Sequence, residues 1–253
     1  MTNAVDEWGL MITPLYPEPK QLSDGSKYQI LRIQGRFYQP LDLGNYPLDS
    51  QKLTLLVENS SDTVDEVVYV PNITDSGFDK SLLVPGWQVK DLQLETLAHD
   101  YGTNFGDPTD PGVYSTLRFS LNLVRQQNMF YWKLLLPLVI VLLTNWLSLV
   151  LDPDMDELRA AMPATALLTT VFLQQASLDA IPAVSSLVLM DKIYAVTYLV
   201  VLLTFGQVVW DIIHYNKDDE VSHKRIIRGD IISLALQVSG FVLVLAYLIW
   251  SVF

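Results

Sequence analysis

The chain has 253 residues, half of them hydrophobic, no cysteine, and 16 basic against 28 acidic side chains for a formal charge of −12. The missing thiols exclude a disulfide framework, a cysteine-ligated metal site and a thiol nucleophile. So acidic a chain lacks the basic surface that phosphate backbones demand, which argues against nucleic acid as a partner.

Composition changes near Gln127. The region before it is rich in Pro, Gly and Asp and carries nine basic and 17 acidic side chains, a charge of −8. Its runs KYQILRIQGRFYQ, QKLTLLVE, DEVVYV, GWQVKDLQLETL and GVYSTLRFSLNLVRQ alternate or are β-branched, with turn residues between them. That pattern predicts an antiparallel β-sandwich over residues 1–127. Repeated around an axis above a membrane, a domain this acidic would concentrate cations at its mouth, although most of its individual acids are read as solvated surface.

Four apolar segments follow, at 129–151, 158–178, 187–213 and 231–253. Each has about the 20 residues that a helix needs to cross a bilayer. Residues 128–253 are therefore expected to form a transmembrane four-helix bundle, with helices at about 129–151, 157–178, 187–213 and 230–253. Aromatic residues at the segment ends (Phe130, Tyr131, Trp132, Trp250 and Phe253) fit interfacial belts. The linker HYNKDDEVSHKRIIRGD carries Lys217, Lys224, Arg225 and Arg228, whereas LDAIPAVSS carries no basic residue. The former is thus expected in the cytoplasm together with the short DPDMD link, and the N-terminal domain and C-terminus outside. Lys133, one turn into the first span, can snorkel to the outer interface.

The second segment, DELRAAMPATALLTTVFLQQASLDAIP, is unusual for a membrane helix because it carries threonines, glutamines and an acid near each end. At about 100° per residue, with Glu157 as zero, Ala161, Thr165, Leu168, Phe172, Gln175 and Asp179 fall within about 80° of arc. Leu158, Met162, Ala166 and Leu173 fall outside the stripe, toward protein or lipid, and Arg159 at about 200° points away from it. One copy of the helix leaves this stripe unshielded, while several copies around an axis would enclose water with it. The alternative is a helix whose polar side chains bond neighbouring helices, as Thr170 and Gln174 are placed to do. Pro163 removes one backbone hydrogen bond within the segment.

Further motifs carry a family resemblance. FYQPLDLGNYPLDSQKLTL, residues 37–55, contains Tyr46, Pro47, Leu48 and Asp49; Arg125 and Pro137 lie in LNLVRQQNMFYWKLLLPL, and Pro182 in LDAIP. Taken in this order they resemble the pentameric ligand-gated ion channels in their prokaryotic form. Animal receptors of that family close the interfacial loop with two cysteines, which this chain lacks. The resemblance covers almost the whole chain. It implies a homopentamer, so four identical subunits as partners, along with membrane lipids and permeating monovalent cations. It places Leu168 at the hydrophobic gate and Glu157 at a charged inner mouth that selects cations, while Phe172, where the family often has a smaller residue, is expected to add a second constriction. Tyr46, Pro47, Asp49, Arg125 and Pro182 become gating-coupling residues, with the loop around Pro47 pushing the 181–184 loop.

Trp87, Tyr101 and Phe105 are the ligand-binding candidates under this resemblance, with Trp87 after Pro85–Gly86 read first as a core residue. The implied ligand is a small molecule, a proton or a divalent cation. No cofactor is expected beyond modulatory calcium, for which Asp62, Asp65, Glu66, Asp107 and Asp110 supply oxygen ligands, although no calcium-loop motif is present. An enzyme is not expected, because His99, His214 and His223 are scattered. The implied location is the bacterial inner membrane. The family's outer domain is longer, so several early strands are expected to be missing here, and no signal peptide is evident. Two alternatives stay open, an anion-selective channel of the same family and a non-conducting four-helix receptor or scaffold.

Overall fold

The computed structural model describes residues 3–5, 9–59, 61–107, 112–128, 130–179 and 187–252. The chain divides into two compact units, Met1–Leu41 with Ser50–Val124, and Asp42–Asp49 with Arg125–Phe253.

The first unit is built from antiparallel sheets. β1 (Met11–Pro14) pairs with β4 (Leu31–Gln34), and β2 (Lys20–Gln21) with β3 (Lys27–Tyr28). β5 (Ser50–Glu58), β6 (Trp87–Asp100) and β7 (Val113–Arg125) form a three-stranded sheet in the order β5-β7-β6. The register runs from Ser50 opposite Val124 to Glu58 opposite Thr116. β7 is the central strand, and Tyr114, Ser115, Thr116, Ser120 and Leu123 on it are buried. The strand expected at DEVVYV does not form. Val68 and Val70 stay exposed, and the Tyr69 N–H bonds the Ser115 hydroxyl at 2.9 Å, so side-chain bonding replaces a strand ladder there.

The second unit is helical. A π-helical turn, Phe130–Leu135, leads into α1 (Leu136–Leu147), with Pro137 in the first turn of α1. Proline lacks the N–H that would continue the ladder, and the chain accommodates it where the helix widens. α1 stops short of residue 151 because the N–H groups of Ser148, Leu149 and Val150 each turn back to a carbonyl three residues earlier. α2 (Asp156–Leu178) and α3 (Leu189–His214) fall close to their expected positions. α4 (Glu220–Trp250) starts well before residue 230. The Asp219 carboxylate caps it by accepting from Val221 N–H at 2.9 Å, and Glu220 pairs with Lys224 at 2.6 Å. The charged stretch read as linker is thus largely the first turns of a helix.

Two buried clusters hold this unit. Leu43, Tyr46 and Leu48 from the 42–49 loop share one with Phe130, Leu138, Val188, Ile193 and Tyr194, which is why that loop goes with the helices and not with the sheets. The other joins Val141, Leu142 and Trp146 of α1, Ala166 of α2, Val200 and Val201 of α3, and Phe241 of α4. Polar bonds cross the bundle as well: Asn145 Nδ2 donates to Thr204 Oγ1 at 2.9 Å, and Gln237 Oε1 accepts from Thr204 at 2.7 Å and from Trp146 at 3.2 Å. Packing and such bonds, more than the hydrophobic effect, hold helices together in lipid.

Among the described residues, three helices are long and apolar enough to cross a membrane: Phe130–Leu147, Leu189–His214 and Glu220–Trp250. α2 is long enough but less apolar, because it carries threonines, glutamines and acids along its length.

Candidate functional site

On α2, burial follows the helical angle without a break. With Glu157 as zero, every exposed residue from 157 to 179 lies between about −60° and 100°, and every buried one between about 180° and 240°. Half-buried residues fill the two flanks. Glu157, Ala161, Thr165, Leu168, Phe172, Gln175 and Asp179 are all exposed, and Leu168 at about 20° sits at the centre of the exposed arc. Leu168 is 57% and Phe172 65% exposed. Leu158, at about 100°, is exposed as well, at the edge of the arc, and lines an open groove of about 280 Å³ with Val141 and Thr144 of α1 and Met162 and Thr165 of α2.

The hydroxyls of α2 bond their own backbone. Thr165 donates to the Ala161 carbonyl, Thr169 to Thr165, Thr170 to Ala166 and Ser177 to Leu173, all at 2.8–2.9 Å. Pro163 is buried and sits within an unbroken helix.

Arg159 leaves the stripe and is 1% exposed. Its Nη2 reaches Asp230 of α4 at 2.7 Å and Asp211 of α3 at 3.2 Å, and its Nε donates to the Ser148 carbonyl at 3.2 Å. Gln207 completes the cluster by donating to the other Asp230 oxygen at 2.8 Å. One end of α2 is thereby tied to α3, α4 and the end of α1. Its other end is tied to α3 by Ser177 against Tyr194 at 2.9 Å and by Tyr198 donating to Gln174 at 2.6 Å. Gln174 does bond a neighbouring helix, as its off-stripe position suggested, whereas Thr170 bonds its own. The Arg159 cluster was missed as a unit from sequence. Its signal was present in part, since an acid within an apolar segment needs a partner, and Asp211 is such an acid, with Asp230 just before the next segment.

Of the residues expected to couple gating, Tyr46, Pro47, Asp49 and Arg125 lie together. Arg125 Nε and Nη2 meet the Asp49 carboxylate at 2.6 and 3.1 Å, with Asp49 2% exposed. The guanidinium also lies over the Tyr46 ring, 4.9 Å from its centroid. Tyr46, joined to Pro47 by a cis peptide, shares a narrow crevice with Gln174, Ser177 and Leu178 of α2 and Met190, Asp191 and Tyr194 of α3. Burial pushes the Tyr46 phenol up, against the opposing pull of Arg125. The Gly44 carbonyl accepts from Leu189 N–H at 2.9 Å, fastening the loop to the start of α3. Pro182 and the rest of the 181–184 loop lie outside the described residues.

In the first unit, Tyr101 and Phe105 belong to an aromatic cluster built around a carboxylate. Glu58 of β5 accepts from Tyr101 at 2.7 Å and from Thr116 at 2.6 Å, and His99 Nδ1 lies 2.8 Å from it. The Tyr101 ring is 4.2 Å from His99, 5.1 Å from Phe105 and 5.9 Å from Tyr114 between centroids. Burial alone would raise the Glu58 carboxyl, but the bonds from Thr116, Tyr101 and His99 outweigh it and hold the carboxyl below its usual range. The bond to Glu58, reinforced by burial, pushes Tyr101 up to about 12. At the end of this loop Gly112 has φ +68°, and a Cβ there would run into the Thr103 carbonyl. Trp87 does not join the cluster. It opens β6, and Tyr101 follows the far end of that 14-residue strand, roughly 40 Å along an extended chain.

Among the described residues no three His, Asp or Glu side chains converge to hold a metal. Asp62 accepts from the Asn59 amide at 2.7 Å, while Asp65, Glu66 and Asp107 are exposed and Asp110 lies outside the described residues.

Antiparallel sheets followed by apolar helices around a polar-faced one define a β-plus-helical membrane protein. No family model matches the chain. It is a distant homologue of gamma-aminobutyric acid receptor beta subunits: 28% identical over 146 residues to subunit beta-4 of Gallus gallus, covering 58% of this chain and 29% of the relative. It is 26% identical over 188 residues to the beta-like subunit of Drosophila melanogaster, covering 72% and 34%. With the beta subunit of Caenorhabditis elegans it shares 25% over 182 residues, covering 72% and 31%. The chain spans about a third of the length of these curated relatives.

Proposed function

We propose that the chain is one subunit of a homopentameric, cation-selective, ligand-gated ion channel of the prokaryotic type, with α2 lining the pore. The observation that carries this reading is the exposed arc of α2. In a single copy its exposed face holds Glu157, Thr165, Gln175 and Asp179, whereas the outward faces of α1, of α3 beyond its first turn and of α4 from Ile231 onward are mostly apolar. Lipid suits the latter and rejects the former. Five copies would turn the arc inward around water, with Leu168 and Phe172 as apolar rings that stop ions by dewetting and Glu157 as a ring of carboxylates. The α1–α2 groove then faces the neighbouring copy. In the gating step, ligand or ion binding to the sheet unit bears on the 42–49 loop, which is wedged at the end of α2, and the pore helix tilts. The agonist has to favour the open state over the closed one. On this reading the chain belongs to a bacterial cell membrane, with the α3–α4 linker in the cytoplasm, a topology supported by the basic residues of that linker.

An anion-selective pore would need a basic ring. The one basic residue of α2, Arg159, does not supply it, because it is buried against two aspartates. Current recorded from the reconstituted chain in a sodium chloride gradient tests the reading: the reversal potential should follow sodium, and Glu157→Lys should move it toward chloride. A wild-type reversal potential at the chloride value overturns cation selectivity. Absence of any current at every ligand, pH and calcium condition favours the scaffold reading.

A further inference from the structure

β5 is an edge strand of its sheet, and its open edge is closed by side chains instead of by another strand. Gln39 accepts from the Thr54 N–H at 2.8 Å and donates to the Thr54 carbonyl at 2.6 Å. The Asn3 amide donates to the same carbonyl at 2.7 Å, and its oxygen accepts from the Leu56 N–H at 3.2 Å. A paired strand would lie about 4.8 Å away. A chain bonded through amide side chains stands farther off, and the gap is an open groove of about 360 Å³. Lys52, Thr54 and Leu56 of β5 and Arg118 of β7 line it together with Tyr38 and Pro40.

We propose that this groove binds a short organic dianion, a dicarboxylate with one charge held by Lys52 and the other by Arg118. The two cations stand at opposite ends of the floor. Arg118 is opposite Leu56 in the register, and Lys52 lies about 13 Å back along the strand from Leu56. Alternate residues of a strand share a face, so Lys52, Thr54 and Leu56 rise on one side of the sheet with their β7 partners. No acid is among the described residues lining the groove, although the region before Gln127 carries nine basic against 17 acidic side chains. Neither cation is fully engaged. Lys52 is exposed and, among the described residues, has no ion-pair partner. Arg118 gives one amino group to Glu95 of β6 at 3.0 Å, on the side of β7 away from β5. Its other N–H groups are left for a carboxylate, which a guanidinium takes through two bonds at once.

An independent feature belongs to the same floor. Ser120, opposite Thr54 in the register, is fully buried, and its hydroxyl has no hydrogen-bond partner among the described residues. Buried polar groups are seldom left in that state. Its proton is free to turn toward a negative group seated over Thr54. The apolar parts of Tyr38, Pro40 and Leu56 suit the methylene groups between two carboxylates, in keeping with small-ligand clefts that are mostly apolar with a few placed polar groups.

The site depends on the sheet unit and not on conduction, so its test reads binding and not current. The detergent-solubilised full chain is titrated calorimetrically with glutarate at low ionic strength, and in parallel with butyrate, which carries a single charge. Glutarate should bind, and butyrate should bind more weakly by roughly fivefold. Lys52→Gln and Arg118→Gln should each weaken glutarate by a similar factor, and Ser120→Ala by less. Lys27→Gln, on β3, should leave its affinity unchanged. Added salt should weaken binding, because these charges are partly exposed. Unchanged glutarate affinity in the double variant Lys52→Gln with Arg118→Gln overturns the groove as the site. Equal affinity for butyrate and glutarate overturns the two-ended ligand, and no binding of glutarate overturns both.

Discussion

Arg125 and Asp49 meet through two parallel hydrogen bonds, at 2.6 and 3.1 Å, with the Tyr46 ring beneath the guanidinium. The pair joins the 42–49 loop to the residue that enters the helical unit, and Asp49 is almost fully buried. Removing one partner strands the other in a poorly solvated site, at a cost of roughly 3 kcal/mol or more. Arg125→Ala is expected to abolish gating or assembly, and exchanging the two residues (Asp49→Arg with Arg125→Asp) to restore part of it. Surface expression and agonist-evoked current measure both effects. Wild-type behaviour of Arg125→Ala would remove this pair from the coupling path.

The Arg159 cluster makes a second, independent prediction about stability. Arg159→Gln leaves Asp211 and Asp230 facing each other without their cation, and the loss should be roughly 3–5 kcal/mol. Replacing all three residues by apolar ones of similar volume should cost much less, because no unpaired charge stays buried. Thermal unfolding of the detergent-solubilised chain separates the two cases. If the single and triple variants melt together, the cluster contributes by shape and not by charge.

A third prediction concerns the gate. Leu168 lies at the centre of the exposed arc, so in the proposed pentamer Leu168→Ser would put hydroxyls into the narrow ring and should let water and ions through at rest. Leu173→Ser is the comparison, since Leu173 is half-buried and packs against both cores. It should lower stability, as expected for a core leucine, without producing a leak. Resting cation flux at matched expression decides. Equal flux from the two variants would mean that the pore lies on another face.

The Glu58 cluster sets a pH window for the loop that follows β6. The Glu58 carboxyl sits below its ordinary value near 4.5, so its contribution is present above that value and is lost as pH falls through the depressed one. Tyr101 titrates at about 12 instead of 10, so its contribution is present below pH 10 and fades as pH rises toward 12. Limited proteolysis of the 101–107 segment should therefore be slow from about pH 5 to 10 and faster on either side. Tyr101→Phe should remove the alkaline limb and leave the acid one. Unchanged cleavage across the whole range would show that Glu58 does not hold this segment.

The helical unit was more legible in the sequence than the sheet unit, and the reason is periodicity. A face that must meet water in a lipid setting repeats at about 3.6 residues, so the α2 stripe could be traced from Glu157 to Asp179 without knowing any neighbour. The partners of side chains leaving that face depend on which helices pack together, and one strand of sequence does not encode that locally. Arg159 could be placed away from the stripe, but not opposite Asp211 and Asp230. Glu58, His99 and Thr116 come together only through the β5-β7-β6 order, so the aromatic candidates Tyr101 and Phe105 were visible without the carboxylate that organises them. The early start of α4 was obscured by its charge. Local capping by Asp219 outweighed a composition that reads as linker.

The back-bonded hydroxyls of α2 have a consequence for what a lumen built from this helix would offer a passing ion. Each Thr165 proton is already committed to the Ala161 carbonyl, so the oxygen turns its lone pairs, and no hydrogen, toward the water. A ring of such oxygens can replace part of the hydration shell of a small cation. To a chloride ion it presents acceptors facing an acceptor, and recruiting a donor means first breaking a bond worth about 1 kcal/mol. The helix therefore carries a charge preference in its uncharged residues, set by the direction of a hydroxyl before any carboxylate acts.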